Sequence, residues 1–290
     1  MSEKIGKHPF KLAGRIFYLL ASKPNQTSEF VEKSYDRISG GYDDVWTNHM
    51  RGLSEQLIDK LKIKESCIAL DLTCGTGYAS NLLAQRKAGK VTGVDKSAGM
   101  LAEAKKNYGS NCDFVQSDIL EFLKKCDSES FDIVTCCWGL GYTKPFRVLK
   151  EIKRILKPGG KVGIIDNSLY SLIEVVYCAL LTFLEQPEKL TTLMKFKFLP
   201  RSGYLGLFWR LLGMKPLELW GGKKSYSVDS GPEAVSKLRA TGAAAGFEYL
   251  ADIEDHEQLF ARLAEIIEER LKKENKITIT HRFLAGIAEK

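Results

Sequence analysis

Two aspartates and two glycines define the chemistry available to this chain. Asp71 follows an apolar run, Cys67-Ile68-Ala69-Leu70, and leads into Leu72-Thr73-Cys74-Gly75-Thr76-Gly77. Helix-compatible residues run from Tyr78 to Gln85, and a second short run, Val91-Thr92-Gly93-Val94, ends on Asp95. Apolar runs this short, bounded by turn residues, fit buried strands. Strand, glycine turn, helix, strand, acid is the layout of a nucleoside-binding βαβ unit. The glycines let the backbone pass close to a ligand, and the second acid can hold two ribose hydroxyls. A lone Gly-x-Gly would say little. Here one acid stands four residues before Gly75 and another eighteen after Gly77, and that pairing makes the pattern specific.

The same residues discriminate between ligands. A dinucleotide fingerprint places a third glycine where this chain has Ser80, because helix and pyrophosphate pack closely there. Asp71 would repel a pyrophosphate but would favour a ligand carrying an ammonium and a sulfonium. At this point the chain resembles the class I S-adenosylmethionine-dependent methyltransferases, whose first motif reads much as Asp71 to Gly77 does. The resemblance implies S-adenosyl-L-methionine as cofactor, with Asp71, Gly75 and Gly77 around its methionine end. It places Asp95 at the ribose and Met100 beneath the adenine, with Lys96 also among the cofactor-binding residues. Asp118 accepts from the exocyclic amine, for which a carboxylate is suited on chemical grounds as well. Ile119 forms an apolar wall, and Cys136 and Trp138 close the site at the exit of the fourth strand.

Two further stretches narrow the resemblance. Tyr35-Asp36-Arg37-Ile38-Ser39-Gly40-Gly41-Tyr42-Asp43, with its doubled Tyr-Asp, resembles the segment that folds over the cofactor in the menaquinone and ubiquinone C-methyltransferases and their relatives. Tyr35 and Tyr42 are thereby candidates to cap it. Trp138-Gly139-Leu140, with the Lys157-Pro158-Gly159-Gly160 turn downstream, points the same way. There is one departure: those enzymes usually continue with Arg-Asn where this chain has Gly141-Tyr142. An arginine that orients a quinone ring there would have to be replaced by something else.

These residues need a scaffold, and the order of short apolar runs and amphipathic helices predicts one. It is a Rossmann-like, doubly wound α/β sheet; the resemblance adds seven strands, the last of them antiparallel. Strands are expected near 67–71, 91–94, 113–115, 131–137, 161–166, 247–253 and 277–288. A helix over Phe10 to Ala21 gathers Lys11, Arg15, Tyr18 and Ser22 on one face and Phe10, Ala13, Ile16, Phe17 and Leu20 on the other. Further helices are expected over His49 to Leu61, Ala98 to Asn107, Phe146 to Leu156 and Pro232 to Ala245. The chain divides on this reading into an N-terminal helical capping segment (1–50), a cofactor-binding core (51–166), an apolar helical insertion (167–230) and a C-terminal completion of the sheet (231–290) with an inserted helix at 257–273. The insertion is rich in Leu, Tyr, Phe and Trp with Lys195, Lys197, Arg201 and Arg210 interleaved. It suits a lid over a lipid-soluble substrate, a helical subdomain with its own core, or a dimer interface.

Bulk properties bound the remaining choices. The 290 residues are 44% hydrophobic, with a net charge of +7. Basic residues spread along the chain give no argument for nucleic acid and a weak one for an anionic surface such as a membrane. Seven cysteines include no C-x-x-C pair, so neither a metal site nor a disulfide framework is predicted, and a reducing cytoplasm is expected. Met1 to Lys11 is charged and broken by Pro9, unlike a signal peptide. Leu169 to Leu184, interrupted by Glu174, is short for a membrane span.

Methyl transfer to carbon, a phenol or an amine also calls for a base. Candidates are Asp166 at the end of the fifth strand, His49, Tyr142 and, more remotely, Glu185. The reading is methyl transfer to a hydrophobic small molecule, quinone-like or another lipid-soluble ring, with peripheral membrane contact and a homodimer as further expectations. The alternatives are a phospholipid head-group N-methyltransferase and a non-catalytic cofactor-binding protein.

Overall fold

The computed structural model describes residues 8–242, 245 and 247–290. Its elements, in chain order, are α1 (Pro9–Ser22), α2 (Thr27–Ile38), α3 (Asn48–Leu61), β1 (Ile68–Leu72), α4 (Tyr78–Gln85), β2 (Lys90–Asp95), α5 (Ala98–Tyr108), β3 (Asp113–Gln116), α6 (Ile119–Lys125), β4 (Phe131–Cys137), α7 (Pro145–Ile155) and β5 (Leu156–Asn167). There follow α8 (Ile173–Glu185), α9 (Ser202–Leu211), β6 (Lys215–Val228), α10 (Gly231–Ala240), α11 (His256–Leu271), β7 (Lys272–Lys273) and β8 (Lys276–Glu289). The chain forms two compact units, and the division falls within α2, β6 and β8.

The larger unit comprises Tyr35–Tyr170, Phe196–Lys223 and Arg282–Lys290. Strands run in the order β3-β2-β1-β4-β5-β8-β6, with two-residue β7 paired to β8. β1, β2, β3, β4 and β5 are parallel, and β8 is antiparallel to β5 from Lys161↔Glu289 to Asn167↔Phe283. The expected seven-strand path is therefore present, with one minimal strand added. β1 and β4 are nearly all apolar because both faces of the parallel sheet are covered. Val134, Leu149, Ile152 and Trp209 pack in one core cluster with α6, α7 and α9. Leu57, Leu61, Leu83 and Ile165 pack in another with α3 and α4. β1 leads outward to β2 while β4 leads outward to β5, so the connections part between β1 and β4. Ligands bind at that switch point, beyond the carboxyl ends of the strands.

The smaller unit comprises the chain up to Ser34, Ser171–Lys195 and Lys224–His281. Cys178 of α8, Val235 of α10, Ile267 of α11 and Ile277 of β8 share its main core. Leu12 and Leu19 of α1 pack with Leu190 in a second cluster. Arg262 of α11 donates from Nε and Nη2 to the two carboxylate oxygens of Glu185, at 2.8 and 2.9 Å. A bidentate pair of this kind fixes both side chains, and it commits Glu185 to structure rather than to proton transfer.

Four expectations differ from the structure. The sixth strand is not Phe247 to Ile253, where Phe247–Leu250 is a 3₁₀ turn. It is Lys215–Val228, hidden from a periodicity argument by Gly221-Gly222 and three exposed or half-exposed lysines. The segment at 247 packs instead on α2: Tyr249 stacks on Phe30 at 4.6 Å, and Glu248 accepts from Ser34. α10 stops at Ala240, and residues 243 and 244 of its expected extension lie outside the described residues. On α1 the packed side is Leu12 and Leu19, while Phe10, Phe17 and Leu20, expected to share the apolar face, are exposed. The proposed 167–230 insertion is itself divided, residues 171–195 belonging to the smaller unit and 196–223 to the larger.

Candidate functional site

The glycine turn is built as its sequence requires. Gly75 (φ +53°) and Gly77 (φ +84°) both occupy left-handed backbone that other residues rarely adopt. A Cβ at Gly75 would meet nothing within 4 Å, so that face of the turn is open, whereas at Gly77 it would strike Phe114 at 2.9 Å. Gly75 N–H donates to Asp95 Oδ2 at 2.9 Å, and Ser97 N–H donates to Asp95 Oδ1 at 3.0 Å. Asp95 therefore ties the turn to the start of α5, and burial raises its carboxyl above the usual range.

Asp71 lies beneath the turn, fully buried. Ser80 donates to Oδ2 and Thr135 to Oδ1, both at 2.7 Å. Burial nevertheless pushes its carboxyl up to about 6. The serine that replaces a dinucleotide-type glycine is thus the partner of the motif's first acid. Cys136 sits alongside, its Sγ 3.4 Å from Thr73 Oγ1. Asp118 caps α6, accepting at Oδ1 from Leu120 and Glu121 N–H at 2.9 and 3.2 Å. Ile119 and Met100 are buried, and Lys96 is half-buried between Asp95 and the α5 cap Ser97.

The segment over the turn is held by aspartates. Asp36 Oδ1 accepts from Ser97 Oγ at 2.6 Å and from Gly99 N–H at 2.9 Å. Asp43 Oδ1 accepts from Thr76 Oγ1 and Thr47 Oγ1, each at 2.6 Å. The doubled Tyr-Asp thus works as a clasp, one acid on each loop of the expected cofactor site. Its tyrosines gather instead with the exit of β4. Tyr35 meets Tyr42 edge-on at 5.8 Å and Tyr142 at 6.1 Å, and Tyr142 meets Phe196 and Phe198 at 5.6 and 5.3 Å. The three tyrosines keep part of their surface accessible although protein surrounds them. Burial raises all three hydroxyls well above the ordinary phenol range, with Asp95 adding to the rise at Tyr35 and Tyr42, and Asp166 at Tyr35 and Tyr142.

Asp166 closes this group from the end of β5. It is buried, accepting at Oδ2 from Gly141 N–H at 2.6 Å and at Oδ1 from Asn167 N–H at 2.8 Å. Burial raises its carboxyl to about 7, close to what a general base at neutral pH needs. Gly141 is a close-approach residue: a Cβ there would lie 2.0 Å from the Phe198 ring. Lys197 N–H donates to Gly141 O at 2.7 Å, which fixes the 196–198 strip against the turn. Trp138 points its indole into the packing beneath, edge-on to Trp46 at 5.8 Å and donating from Nε1 to Ser54 Oγ at 2.9 Å. His49 stands in the first turn of α3, half-buried. Of the candidate bases, the structure joins Asp166 and Tyr142 to the aromatic cluster.

Sequence comparison adds to this geometry. Residues 69–160 match the methyltransferase domain family. Those residues span β1 to the β5 turn and include the glycine turn, Asp95, Asp118 and Tyr142. Over these residues the core is similar to a class I methyltransferase domain. Its strand path is shared with the YcgJ protein of Bacillus subtilis, at a TM-score of 0.56 and 15% identity, covering 82% of this chain and 98% of that one. In sequence the chain is similar to a demethylmenaquinone methyltransferase of Lactobacillus johnsonii, 37% identical over 165 residues, which are 50% of this chain and 66% of the relative. It is also similar to one of Staphylococcus aureus, 33% identical over 147 residues, 48% of this chain and 57% of the relative. The matched region is thus about half of this chain and under two thirds of each relative.

Two features of the site are not legible in the sequence. Asp36 and Asp43 stood in the quoted segment, but nothing local shows which loops they reach. Phe196 and Phe198 were read as part of a lid, and only the backbone pairing at Gly141 brings them to Tyr142. The residues around the turn fit S-adenosylmethionine: an open glycine face, an acid at the end of β2, and a capping acid before α6.

Proposed function

We propose that the chain catalyses methyl transfer from S-adenosylmethionine to a hydrophobic acceptor, a quinone-like or other lipid-soluble ring. The observation that supports this reading is the aromatic cluster of Tyr35, Tyr42, Tyr142, Phe196 and Phe198, with Asp166 held beside it through Gly141 N–H. Aromatic walls with offset or edge-on geometry suit a flat ring, whereas an ammonium-bearing head group would be better served by a vestibule of carboxylates.

The cofactor supplies an electrophilic methyl on a sulfonium. Asp95 would hold the ribose hydroxyls, the 73–77 turn the methionine end, and Asp118 the adenine amine. Asp36 and Asp43 hold the capping segment over these groups. The five rings align the acceptor and keep water out, which is most of what an in-line displacement asks of a protein. A ring carbon or phenol that accepts a methyl must lose a proton, and Asp166 takes it at a carboxylate oxygen. Gly141-Tyr142 stands where the quinone enzymes usually carry Arg-Asn, so the cation is missing and Tyr142 offers a ring face and a neutral hydroxyl beside the acceptor.

The test is a methyl-transfer assay read by mass spectrometry, offering a demethylated quinone and, separately, phosphatidylethanolamine. Methylated quinone with unmodified amine is the expected result. Methylation of the amine alone would move the assignment to head-group methylation. Cofactor binding with no transfer to either would leave a non-catalytic binding protein.

A further inference from the structure

Gly141 is buried, and its backbone lies outside the left-handed region, so conformation does not call for a glycine there. Space does. A Cβ at this position would stand 2.0 Å from Cδ1 and 2.4 Å from Cε1 of Phe198, well inside van der Waals contact. The Phe198 ring therefore occupies the place that a side chain at 141 would take. Backbone hydrogen bonds keep it there: Lys197 N–H donates to Gly141 O at 2.7 Å, and Leu169 N–H to Leu199 O at 2.9 Å. Between those bonds Lys197 is exposed while Phe196 and Phe198 are half-buried, the alternation of an extended segment. Both rings meet Tyr142 edge-on, at interplanar angles of 67° and 72°. All of these residues belong to the larger unit.

The consequence is electrostatic as well as steric. The ionisable groups acting on the Tyr142 hydroxyl are Tyr35 and Asp166, neither of which can carry positive charge. An anionic substituent set against Phe198 and Tyr142 would lose water without gaining a cation from them. An uncharged ring avoids that cost and gains apolar and edge-on contacts. We propose that Gly141 is a positioning residue that sets acceptor specificity: by carrying no side chain it seats Phe198 against Tyr142, and that pair admits an uncharged aromatic ring and rejects an anionic one. This deepens, and rests on, the reading of the site as one that methylates a lipid-soluble ring.

The test measures binding to the full-length chain, with S-adenosylhomocysteine present so that no methyl can move. The probes are 2-naphthol, uncharged at neutral pH, and 2-naphthoate, an anion on the same ring system, each followed by its fluorescence. Circular dichroism checks that every variant is folded. The native chain should bind 2-naphthol at least tenfold more tightly than 2-naphthoate. Gly141→Ala should lower 2-naphthol affinity by about tenfold, yet by under about twofold when introduced into Phe198→Ala, because no ring is then left to displace. Calorimetry should show S-adenosylmethionine affinity unchanged in all three variants. A loss from Gly141→Ala that is absent, or equal in both backgrounds, would overturn the proposal and leave the ring reading standing, as would a native preference for 2-naphthoate. A native chain that binds neither probe overturns both. If Gly141→Ala does not fold, Phe198→Ala alone decides: it should erase the preference for 2-naphthol, and an unchanged preference would overturn the proposal.

Discussion

At the scale of single residues, Asp166 carries the sharpest consequence. Its folded value is about 7 against an ordinary 3.8. Between those values the unfolded chain is ionised while the folded chain retains the proton, so the folded state binds more protons. Its contribution to stability therefore falls as pH rises from about 4 to about 7 and is fully unfavourable above that. Asp71, raised to about 6, adds a loss of the same sign over the lower part of the window. Denaturant titrations should show the stability difference between Asp166→Asn and the native chain moving in favour of the variant across this range. Activity has the opposite slope: turnover should rise with pH through about 7, and Asp166→Asn should lose about 10²- to 10⁴-fold in turnover with cofactor affinity retained. A native-like rate in that variant would remove Asp166 as the base. Asp95 gives a second test. Asp95→Ala deletes the acceptor for Gly75 and Ser97 as well as the expected ribose contacts, at about 1.5–3 kcal/mol per charged hydrogen bond. Calorimetry should show at least a tenfold loss of S-adenosylmethionine affinity, and tighter binding of a nicotinamide dinucleotide would sink the cofactor assignment.

At the scale of elements, the parallel half of the sheet was legible because each strand is a short apolar run ending at chemistry: Asp71 after Leu70, Asp95 after Val94, Asp166 after Ile165. Burial on both faces leaves such a strand little sequence freedom. β6 was not legible, because its exposed lysines and its paired glycines at 221 and 222 answer to β8 rather than to any local period. The clasp was legible only in part. The tyrosines announced the segment, but Asp36 and Asp43 act over a separation that no spacing rule covers. Asp43 serves Thr47 and Thr76 with a single oxygen, so Asp43→Ala leaves two hydroxyls to find new acceptors. Hydrogen exchange over 35–47 should quicken in this variant, and cofactor affinity should fall by about 1–3 kcal/mol, while the sheet amides keep their protection. Unaltered exchange in that stretch would mean that packing, and not the clasp, holds it.

At the scale of the molecule, the open question is where a water-insoluble acceptor would be met. No helix among the described residues is long and apolar enough to cross a membrane. α1, considered within its own unit, offers another kind of contact. Leu12 and Leu19 anchor it to Leu190, and Arg15 Nε donates to Leu190 O at 2.7 Å, so its position does not depend on its other side. That other side shows Phe10 at 92% and Phe17 at 74% exposure, with Tyr18 and Leu20 also exposed. Aromatic side chains left in water on an anchored helix that also carries Lys11 and Arg15 fit a helix lying in a bilayer interface. Each phenylalanine buried there would contribute about 1.5–3 kcal/mol, so Phe10→Ser with Phe17→Ser should lower partitioning onto anionic liposomes by at least tenfold. Because neither ring is packed, the double variant should keep its melting temperature. Flotation of the native and doubly substituted chains on liposomes containing phosphatidylglycerol reads this directly. If both float alike, or neither does, α1 is not the membrane contact, and the exposed rings must serve a protein partner such as a second copy of the chain, which the same variants would reveal by ultracentrifugation.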